Sequence, residues 1–276
     1  MFKDFFIYSA QPPAVLAGAA APTQLTNISA QADFEIVSQV ATAIDRRARV
    51  RIQDSGSGRT WHDIPSVGLG AWFGDGRRPF HLPVSKIIKR GSVISTDVTD
   101  ESGAANRVRI AWIGAKLFPR PPFPRPEYVA REAFTVTAPF VAAAVDPAGV
   151  GTIAANGVGT FNIRIPDGAD FEIRKLAIGY DLAIPAALDT VATILLKDES
   201  GGYTFMDRPI PVESLGGSRF VDPQPAGFFP FIMRTPKLMA AGSVLSIVVN
   251  NQDAVNALTI RVSIHGAKLY RSAPVR

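Results

Sequence analysis

The chain has 276 residues and a formal net charge of +5, and 47% of the residues are hydrophobic while only 19% are charged. The absence of cysteine excludes disulfides, thiolate metal sites and cysteine nucleophiles. The 23 glycines and 22 prolines argue against a bundle of long helices. Because the basic residues are dispersed along the chain, we do not expect nucleic acid to be a partner.

The chain opens with an apolar segment that predicts a strand. It runs from Phe6 to Ala19 behind an aromatic arm, which could also stay extended until a partner orders it. Gln11 and the two prolines after it interrupt the apolar run, which argues against a signal peptide. No window reaches the ~18 consecutive apolar residues of a membrane helix, so we expect no membrane contact.

Further short strands follow, separated by glycine, proline and aspartate turns. In residues 106–112 apolar side chains alternate with others, so one face is buried and the other meets water or a partner. The remaining predicted strands are residues 34–41, 48–53, 91–98, 160–165, 171–180, 190–197, 242–249 and 258–265. Polar turns at 100–103 and 250–253 predict that the strands on either side of each turn form a hairpin.

A duplication is the most specific feature of the sequence. Residues 79–95 align without a gap with residues 230–246, and the offset is the same at both ends. Two shorter blocks repeat in the same order, Ala32–Ile36 with Ala169–Ile173 and Gly114–Phe118 with Gly266–Tyr270. The offset grows along the chain, which predicts loop insertions in the second copy, mostly between Ile173 and Pro230.

A proline-rich segment between the two copies marks a boundary. Residues 119–126 read PRPPFPRP, which favours an extended polyproline II spacer, although a ligand for a proline-recognition domain is the alternative. The sequence therefore predicts an all-β fold of two tandem, internally duplicated jelly-roll-like β-sandwich domains. We expect the first domain, with its arm, at 1–118, the linker at 119–128 and the second domain at 129–276.

The histidines and glycine-rich loops give no catalytic or metal-binding pattern. His62, His81 and His265 are isolated, and the last two have isoleucines at the twin positions, so we expect no metal site and no catalytic base. Gly56–Thr60 lacks the lysine and the spacing of a phosphate loop, and no G-x-S-x-G elbow is present. We expect a protein without enzymatic activity and without a cofactor.

The acidic residues also allow a structural interpretation. Asp97, Asp100 and Glu101 could bind calcium, but the twin segment has no matching carboxylates, so a turn is the preferred interpretation. Asp63 and Asp207 occupy twin positions in different domains. We therefore interpret them as turn caps instead of a catalytic pair.

Both copies end in the same arrangement, in Pro79–Phe118 and in Pro230–Tyr270. A proline-rich entry is followed by Gly-Ser, a short polar turn and a strand that closes with Gly-Ala-Lys-Leu and an aromatic residue. This arrangement resembles the closing hairpin of structural proteins in tailed-bacteriophage virions. The resemblance implies a non-enzymatic virion component made in the host cytoplasm, such as a capsid decoration or cement protein, or a connector or tail-associated protein. Implied partners are other virion proteins, such as the major capsid protein, and further copies in a homo-oligomer.

Candidate partner-binding residues lie in the arm and in one basic cluster, namely Phe2, Phe5, Phe6, Arg77 and Arg78. An arm would add main-chain hydrogen bonds to a neighbouring sheet, and its aromatic rings would add buried area. The aromatic run Phe228–Phe231 belongs either to the core or to a partner contact. The alternative function is a tandem carbohydrate-binding module, in which sugars would stack on Trp61, Trp72 and Trp112.

Overall fold

A computed structural model describes residues 1–62, 65–120, 127–137, 151–182, 190–219 and 230–271. The strands of the first half are Phe2–Ala10 (β1), Gln24–Asn27 (β2), Asp33–Ala43 (β3), Ala48–Asp54 (β4), Arg59–Thr60 (β5), Val67–Gly68 (β6), Phe80–Ile88 (β7), Val93–Asp100 (β8) and Val108–Phe118 (β9). Those of the second half are Tyr128–Thr137 (β10), Gly151–Ile153 (β11), Val158–Arg164 (β12), Asp170–Leu182 (β13), Ala192–Asp198 (β14), Tyr203–Thr204 (β15), Ile210–Pro211 (β16), Ser218–Arg219 (β17), Phe231–Met239 (β18), Val244–Asn251 (β19) and Leu258–Arg271 (β20).

Helical structure in these ranges is limited to single turns. The turns are α1 at Leu69–Trp72 and a 3₁₀ turn at Val212–Leu215. Among the described residues there is no helix with the length and apolar character needed to cross a membrane.

The strands form two sandwiches, which we call the N unit (residues 2–118) and the C unit (residues 128–271). In the N unit, sheet N1 has the order β1-β9-β3-β7, and sheet N2 has the order β2-β8-β4-β5 with β6 beside β4. In the C unit, sheet C1 has the order β10-β20-β13-β17 with β11 beside β20 and β18 beside β13. Sheet C2 has the order β12-β19-β14-β15 with β16 beside β14.

Each unit has an apolar core between its two sheets. The N-unit core includes Phe34, Ile52 and Trp112, all fully buried. Phe161 and Ile247 occupy the C-unit core in the same way. Burying one side chain of this size contributes roughly 1.5–3 kcal/mol, so the period-two pattern of the strands is sufficient to specify which face turns inward.

The main strands of each unit alternate between its two sheets, as in a jelly roll. The prediction that 91–98 with 106–112, and 242–249 with 258–265, form hairpins is therefore wrong, because β8 and β9 lie in opposite sheets and so do β19 and β20. Buried polar groups hold the crossover: the Asn106 side-chain amide donates to Asp100 at 2.9 Å, and that of Asn251 donates to the Asn256 carbonyl at 2.8 Å. An alternating strand can face one core from either sheet, so its pattern does not specify its pairing.

The strand boundaries confirm that the chain is a jelly-roll-like sandwich written twice. β7 and β18 begin and end at positions 151 residues apart, and so do β8 and β19. β3 and β13 begin 137 residues apart, and β4 and β14 begin 144 residues apart. The second copy therefore has its extra residues after β13 and again after β14, within the predicted interval from Ile173 to Pro230.

An irregularity in sheet pairing repeats as well. The ladder of β3 slips between Ile36 and Ser38, and that of β13 slips between Ile173 and Lys175. A bulge at the same position in both copies increases the local twist of the sheet. The duplication thus extends to backbone geometry.

The glycine of the repeated Gly-Ala-Lys-Leu block lies opposite this bulge. A Cβ atom on Gly114 would stand 1.8 Å from the carbonyl oxygen of Glu35, and one on Gly266 would stand 2.0 Å from that of Glu172. Backbone contact this close excludes any side chain. Steric exclusion therefore explains the glycine in both copies.

The boundary between the units remains only partly visible. β9 ends at Phe118 and β10 begins at Tyr128, which the sequence had assigned to the linker. Residues 121–126 lie outside the described ranges, so the polyproline conformation of the linker and the domain limits 1–118, 119–128 and 129–276 stay predictions.

Candidate functional site

The most extensive contact outside the two sandwich cores joins the two units. Phe5, Ile7, Val40, Ala111 and Ile113 lie on the outer face of N1 and belong to one buried cluster with the C-unit core. The face of 106–112 that was expected to meet water or a partner therefore meets the chain's own second unit. β1, β9 and β3 of N1 are buried on both faces, which explains why six consecutive residues of β1 are buried.

The C unit contributes the surface formed by β18 and by Phe205–Asp207, which we call its open side. The Phe231 ring packs edge-on against the Phe5 ring with centroids 6.1 Å apart. The Ile7 amide donates to the Phe205 carbonyl at 3.0 Å, and the Asp207 amide donates to the Ile7 carbonyl at 3.1 Å. Main-chain bonds and apolar burial together fix β1 against this open side.

One ion pair lies in the same contact. The Lys237 ammonium is 2.8 Å from each carboxylate oxygen of Asp4, and it lies 4.9 Å from the centre of the Phe205 ring. The Lys237 side chain is only 9% exposed. A buried ammonium needs such partners, because leaving it unpaired would cost several kcal/mol.

Asp207 lies beside this ion pair, with its side chain 15% exposed. Its Oδ1 accepts from the Ser9 hydroxyl at 3.2 Å, and Arg208 lies 3.1 Å from its other oxygen. Burial raises the pKa of Asp207 to about 6, although Arg208 opposes the shift. The prediction of Asp207 as a turn cap missed this position between the units, and its twin Asp63 lies outside the described residues.

The loop around Gly76 fits closely against the 3₁₀ turn of the C unit. A Cβ atom on Gly76 would stand 1.8 Å from the Glu213 carbonyl oxygen and 2.4 Å from the Gly216 nitrogen. The Arg77 and Arg78 amides both donate to Asp75, so these two arginines sit beside the junction. Arg78 is exposed and Arg77 is half-buried, and their contact with another virion protein stays a prediction.

The predicted aromatic arm is part of β1. Phe2–Ala10 pairs with β9 throughout, and Phe5 and Phe6 are buried in their own chain. Phe2 is half-buried, with its ring 6.3 Å from that of Phe118. The expectation of an arm in front of the first strand is corrected by this placement. Contact of these rings with a neighbouring subunit stays a prediction, and it would require β1 to leave its sheet.

Unlike β1, the edge strands β7 and β10 are exposed. Every residue of β10 is exposed or half-buried, and Val129 is 67% exposed. In β7 only Ile88 is buried, and Val84 is 80% exposed. Natural sheets usually protect their edges, because an open edge offers main-chain groups and apolar side chains to other chains.

The residues considered for chemistry are separated from one another. His62 packs 5.5 Å from the Trp72 ring and His265 lies 3.0 Å from the Thr135 hydroxyl, while burial lowers the pKa of the exposed-edge His81. Within the described ranges, no group of three or more potential metal-ligating side chains is present.

The acids considered for calcium also have separate partners. Asp97 accepts from the Thr23 hydroxyl at 2.6 Å, and Glu101 lies 3.2 Å from Arg49. Asp100 is buried and bonded within its own crossover. These contacts agree with the interpretation of this segment as a turn, although the turn connects strands of two different sheets.

Trp112 belongs to the N-unit core, and Trp61 and Trp72 pack against that core. Trp112 is fully buried, so it cannot stack on a ligand. Trp61 and Trp72 are half-buried and pack edge-on against each other at 6.3 Å. Of the aromatic run Phe228–Phe231, Phe231 belongs to the core contact, and 228–229 lie outside the described residues.

A cavity of about 500 Å³ lies at the end of the N unit beside Pro119. Its charged lining residues are Asp33, Lys89 and Arg90, and the Asp33 carboxylate accepts from both Lys89 at 3.1 Å and the Arg90 amide at 2.9 Å. The Asp33 carboxylate in this cavity is therefore already held by the Lys89 ammonium and by the Arg90 main chain.

No protein-family model matches the chain, and no curated protein matches it. Among solved structures, the major capsid protein P2 of bacteriophage PM2 is 11% identical, with 98% of this chain and 99% of that chain covered and a TM-score of 0.26. PBCV-1 VP54, fitted into a reconstruction of the virophage Sputnik, is 11% identical, with 99% and 96% covered and a TM-score of 0.22. The structure of the infectious bursal disease virus Gx strain is 12% identical, with 99% and 71% covered and a TM-score of 0.24. Similarity at this level carries no argument about function.

Proposed function

We propose that this protein is a non-enzymatic structural component of a bacteriophage particle that binds neighbouring subunits, and that its role is to decorate or stabilise the capsid. The observation that carries the proposal is the pair of exposed edge strands, β7 and β10, on a chain in which the edge strand β1 is covered. Open edges with apolar side chains suit a chain that completes its contacts in an assembly.

The jelly-roll connectivity is compatible with this role without specifying it. Jelly rolls serve in viral capsids, in lectins and in cupins, and a fold by itself does not define a function. The carbohydrate-binding alternative depends on accessible aromatic rings. Burial of Trp112 and the mutual packing of Trp61 and Trp72 count against it.

The test is to locate the protein in particles. Particles purified by density gradient from a producing culture would be analysed by mass spectrometry and by immunogold labelling with an antibody against this chain. We expect the chain to co-purify with the particles in many copies and the gold to label the capsid shell.

Two results would contradict the proposal. One is a chain found only in the soluble fraction while the particles lack it. The other is binding of the purified chain to sugars on a glycan array with loss of binding in Trp61→Ala, which would support the carbohydrate-binding alternative. Gold on the tail or the connector would overturn the decoration role and keep the particle role.

A further inference from the structure

We propose that a second copy of this chain docks the open side of its N unit, formed by β7 and Trp61, onto β10 of the first copy, so that Lys86 of one copy pairs with Glu132 of the other. This inference rests on the proposed function, which it deepens by naming the partner of the exposed β10 edge. The contact between copies would repeat the contact that already joins the two units within one chain.

The contact within the chain uses different surfaces of the two units. The N unit contributes β1 and the outer face of N1, while the C unit contributes its open side at Phe205, Phe231 and Lys237. Because the units are copies of one design, each carries both kinds of surface. One surface of each kind is used within the chain, and the open side of the N unit and the β10 edge of the C unit are left over.

The leftover open side carries the same cation. Lys86 is the twin of Lys237, at the same position of β7 as Lys237 occupies in β18. Its ammonium lies 5.0 Å from the Trp61 ring, as that of Lys237 lies 4.9 Å from the Phe205 ring, and Phe205 is the twin of Trp61. Within the described residues, Lys86 has no carboxylate partner.

The leftover β10 edge carries the matching acid. Asp4 pairs in register with Lys116 of the Gly-Ala-Lys-Leu block, and Glu132 pairs in register with the twin of that lysine, Lys268. Phe6 and Phe134, two residues after Asp4 and Glu132, also correspond. Lys116 lies 3.6 Å from the Phe6 ring, and Lys268 lies 3.7 Å from the Phe134 ring. Glu132 is exposed. The acid and the cation that form a buried pair inside the chain thus have counterparts nearer the surface, an exposed Glu132 that accepts from the Tyr270 hydroxyl and a half-buried Lys86.

The burial of the twin side chains supports the same assignment. Phe231 and Met233 are each 3% exposed where β1 covers them. Their twins on β7, Phe80 and Leu82, are only half-buried. These two apolar residues have the same chemistry as the buried pair, and they lack the covering strand.

The C1 face differs from the N1 face in polarity. Thr135 is exposed where its twin Ile7 is fully buried, and His265 is half-buried where its twin Ile113 is buried. A contact between copies would therefore be more polar than the contact within the chain, which suits reversible assembly. Since the two surfaces differ, repetition gives a closed ring or an open filament, depending on the rotation between copies.

The test measures self-association of the full chain by sedimentation velocity and light scattering at low salt. We expect concentration-dependent assembly of the natural chain, weakened about tenfold or more by Lys86→Glu and by Glu132→Lys, and restored when both reversals are in one chain. Arg164→Glu and Glu199→Lys are the matched controls, because both residues are exposed and lie on or next to strands of C2, away from β7, Trp61 and β10. The controls should assemble as the natural chain does.

A cross-linking experiment identifies the contact directly, since the chain has no cysteine of its own. Lys86→Cys chains mixed with Glu132→Cys chains should form a disulfide-linked dimer under mild oxidation, and each variant alone should form far less. A natural chain that stays monomeric up to its solubility limit would overturn the proposal. Single reversals that leave assembly unchanged, or a double reversal that fails to restore it, would overturn it as well.

These outcomes are separable from those of the particle experiment. A chain that is found in particles but shows no association through Lys86 and Glu132 keeps the proposed function and loses this inference. A chain that assembles through this pair but is missing from particles keeps the surface and loses the function.

Discussion

Gly114 and Gly266 hold strands together at distances that exclude a side chain. Replacing either by alanine would place a Cβ atom within 2.0 Å of a backbone carbonyl oxygen. The strand would have to move, and overpacking of this kind costs about 1–3 kcal/mol. We expect urea unfolding to show this loss in Gly114→Ala and in Gly266→Ala.

The control for these variants is Gly103→Ala. A Cβ atom at Gly103 meets nothing within 4 Å, and its backbone angle does not require glycine. Its stability should change by no more than about 0.5 kcal/mol. Equal stability of the natural chain and Gly114→Ala would show that the bulge adapts, contrary to the geometry described above.

Asp207 makes the free energy of unfolding depend on pH. Its pKa of about 6 in the folded chain lies above the ordinary value of 3.8, so between these values the folded state holds a proton that the unfolded state has released. The stabilisation is complete below the ordinary pKa and is lost as the pH rises through about 6. At about 1.4 kcal/mol per pKa unit, the full loss is about 3 kcal/mol, of which about 2 kcal/mol falls between roughly pH 4.5 and 7.

The measurement compares the natural chain with Asp207→Asn in urea between roughly pH 4.5 and 7. The difference in unfolding free energy between the two should change by about that amount over this range, and Asp167→Asn, whose carboxylate is 73% exposed, should follow the natural chain. Asp33 and Asp170 have lowered pKa values because of backbone, arginine or lysine partners, against burial in the case of Asp170. Their stabilisation is lost at lower pH, outside this range. Parallel pH profiles for Asp207→Asn and the natural chain would refute the assignment.

At the scale of elements, the strands and their order of repetition were predictable from the sequence, whereas their pairing was not. The alignment of residues 79–95 with 230–246 pairs β7 with β18 and β8 with β19, although only β8 and β19 were predicted as strands. Assignment of these strands to sheets depended on the buried Asp100–Asn106 bond, which a polar turn sequence does not distinguish from a hairpin. A period-two pattern reports which face is buried and gives no information on the neighbouring strand.

The lysines of the candidate site were predictable from the sequence repeat, whereas its acids were not. The twin lysines Lys86 and Lys237 fall in the ungapped block of the repeat, so alignment alone pairs them. Asp4 and Glu132 share no aligned motif, and only the strand register with Lys116 and Lys268 shows that they correspond. Sequence analysis interpreted the aromatic residues of β1 as a free arm because nothing in one chain's sequence states that a second unit covers them.

Strand β1 is an integral edge of N1, and its removal should unfold more than a contact surface. A free arm, as the sequence predicted, could be removed with loss of assembly while both domains stay folded. The structure predicts instead a large loss of stability, because Phe5 and Ile7 fill the contact with the C unit and Phe6 and Tyr8 fill the N-unit core. Truncating one such buried aromatic residue costs about 3–5 kcal/mol.

The experiment compares urea midpoints for the chain lacking residues 1–10, for Phe5→Ala and for Val84→Ala. Val84 is 80% exposed, so Val84→Ala should unfold with the natural chain, while the other two unfold at clearly lower urea. If the truncated chain kept the natural midpoint, β1 would be a dispensable arm, as the sequence first suggested.

At the scale of the whole molecule, one buried cluster runs from the outer face of N1 through the C-unit core. Two sandwiches that share a core should unfold together, because neither can lose its packing without exposing apolar surface of the other. The contact is stiff where Gly76 meets the 3₁₀ turn, since the Glu213 carbonyl and the Gly216 amide leave no space for a side chain. The junction can therefore be opened by a change that leaves both inner cores intact.

Gly76→Val should separate the unfolding of the two units. We expect calorimetry of the natural chain to give a single transition and that of Gly76→Val to give two, because the valine side chain forces the loop away from the Glu213 carbonyl while Phe34 and Phe161 stay buried in their own sandwiches. Gly103→Val, in an open turn, controls for the substitution itself and should keep the single transition. A single transition in Gly76→Val at the natural temperature would mean that the units are coupled without this contact. In that case, the packing of β1 against Phe205, Phe231 and Lys237 would be sufficient to couple them.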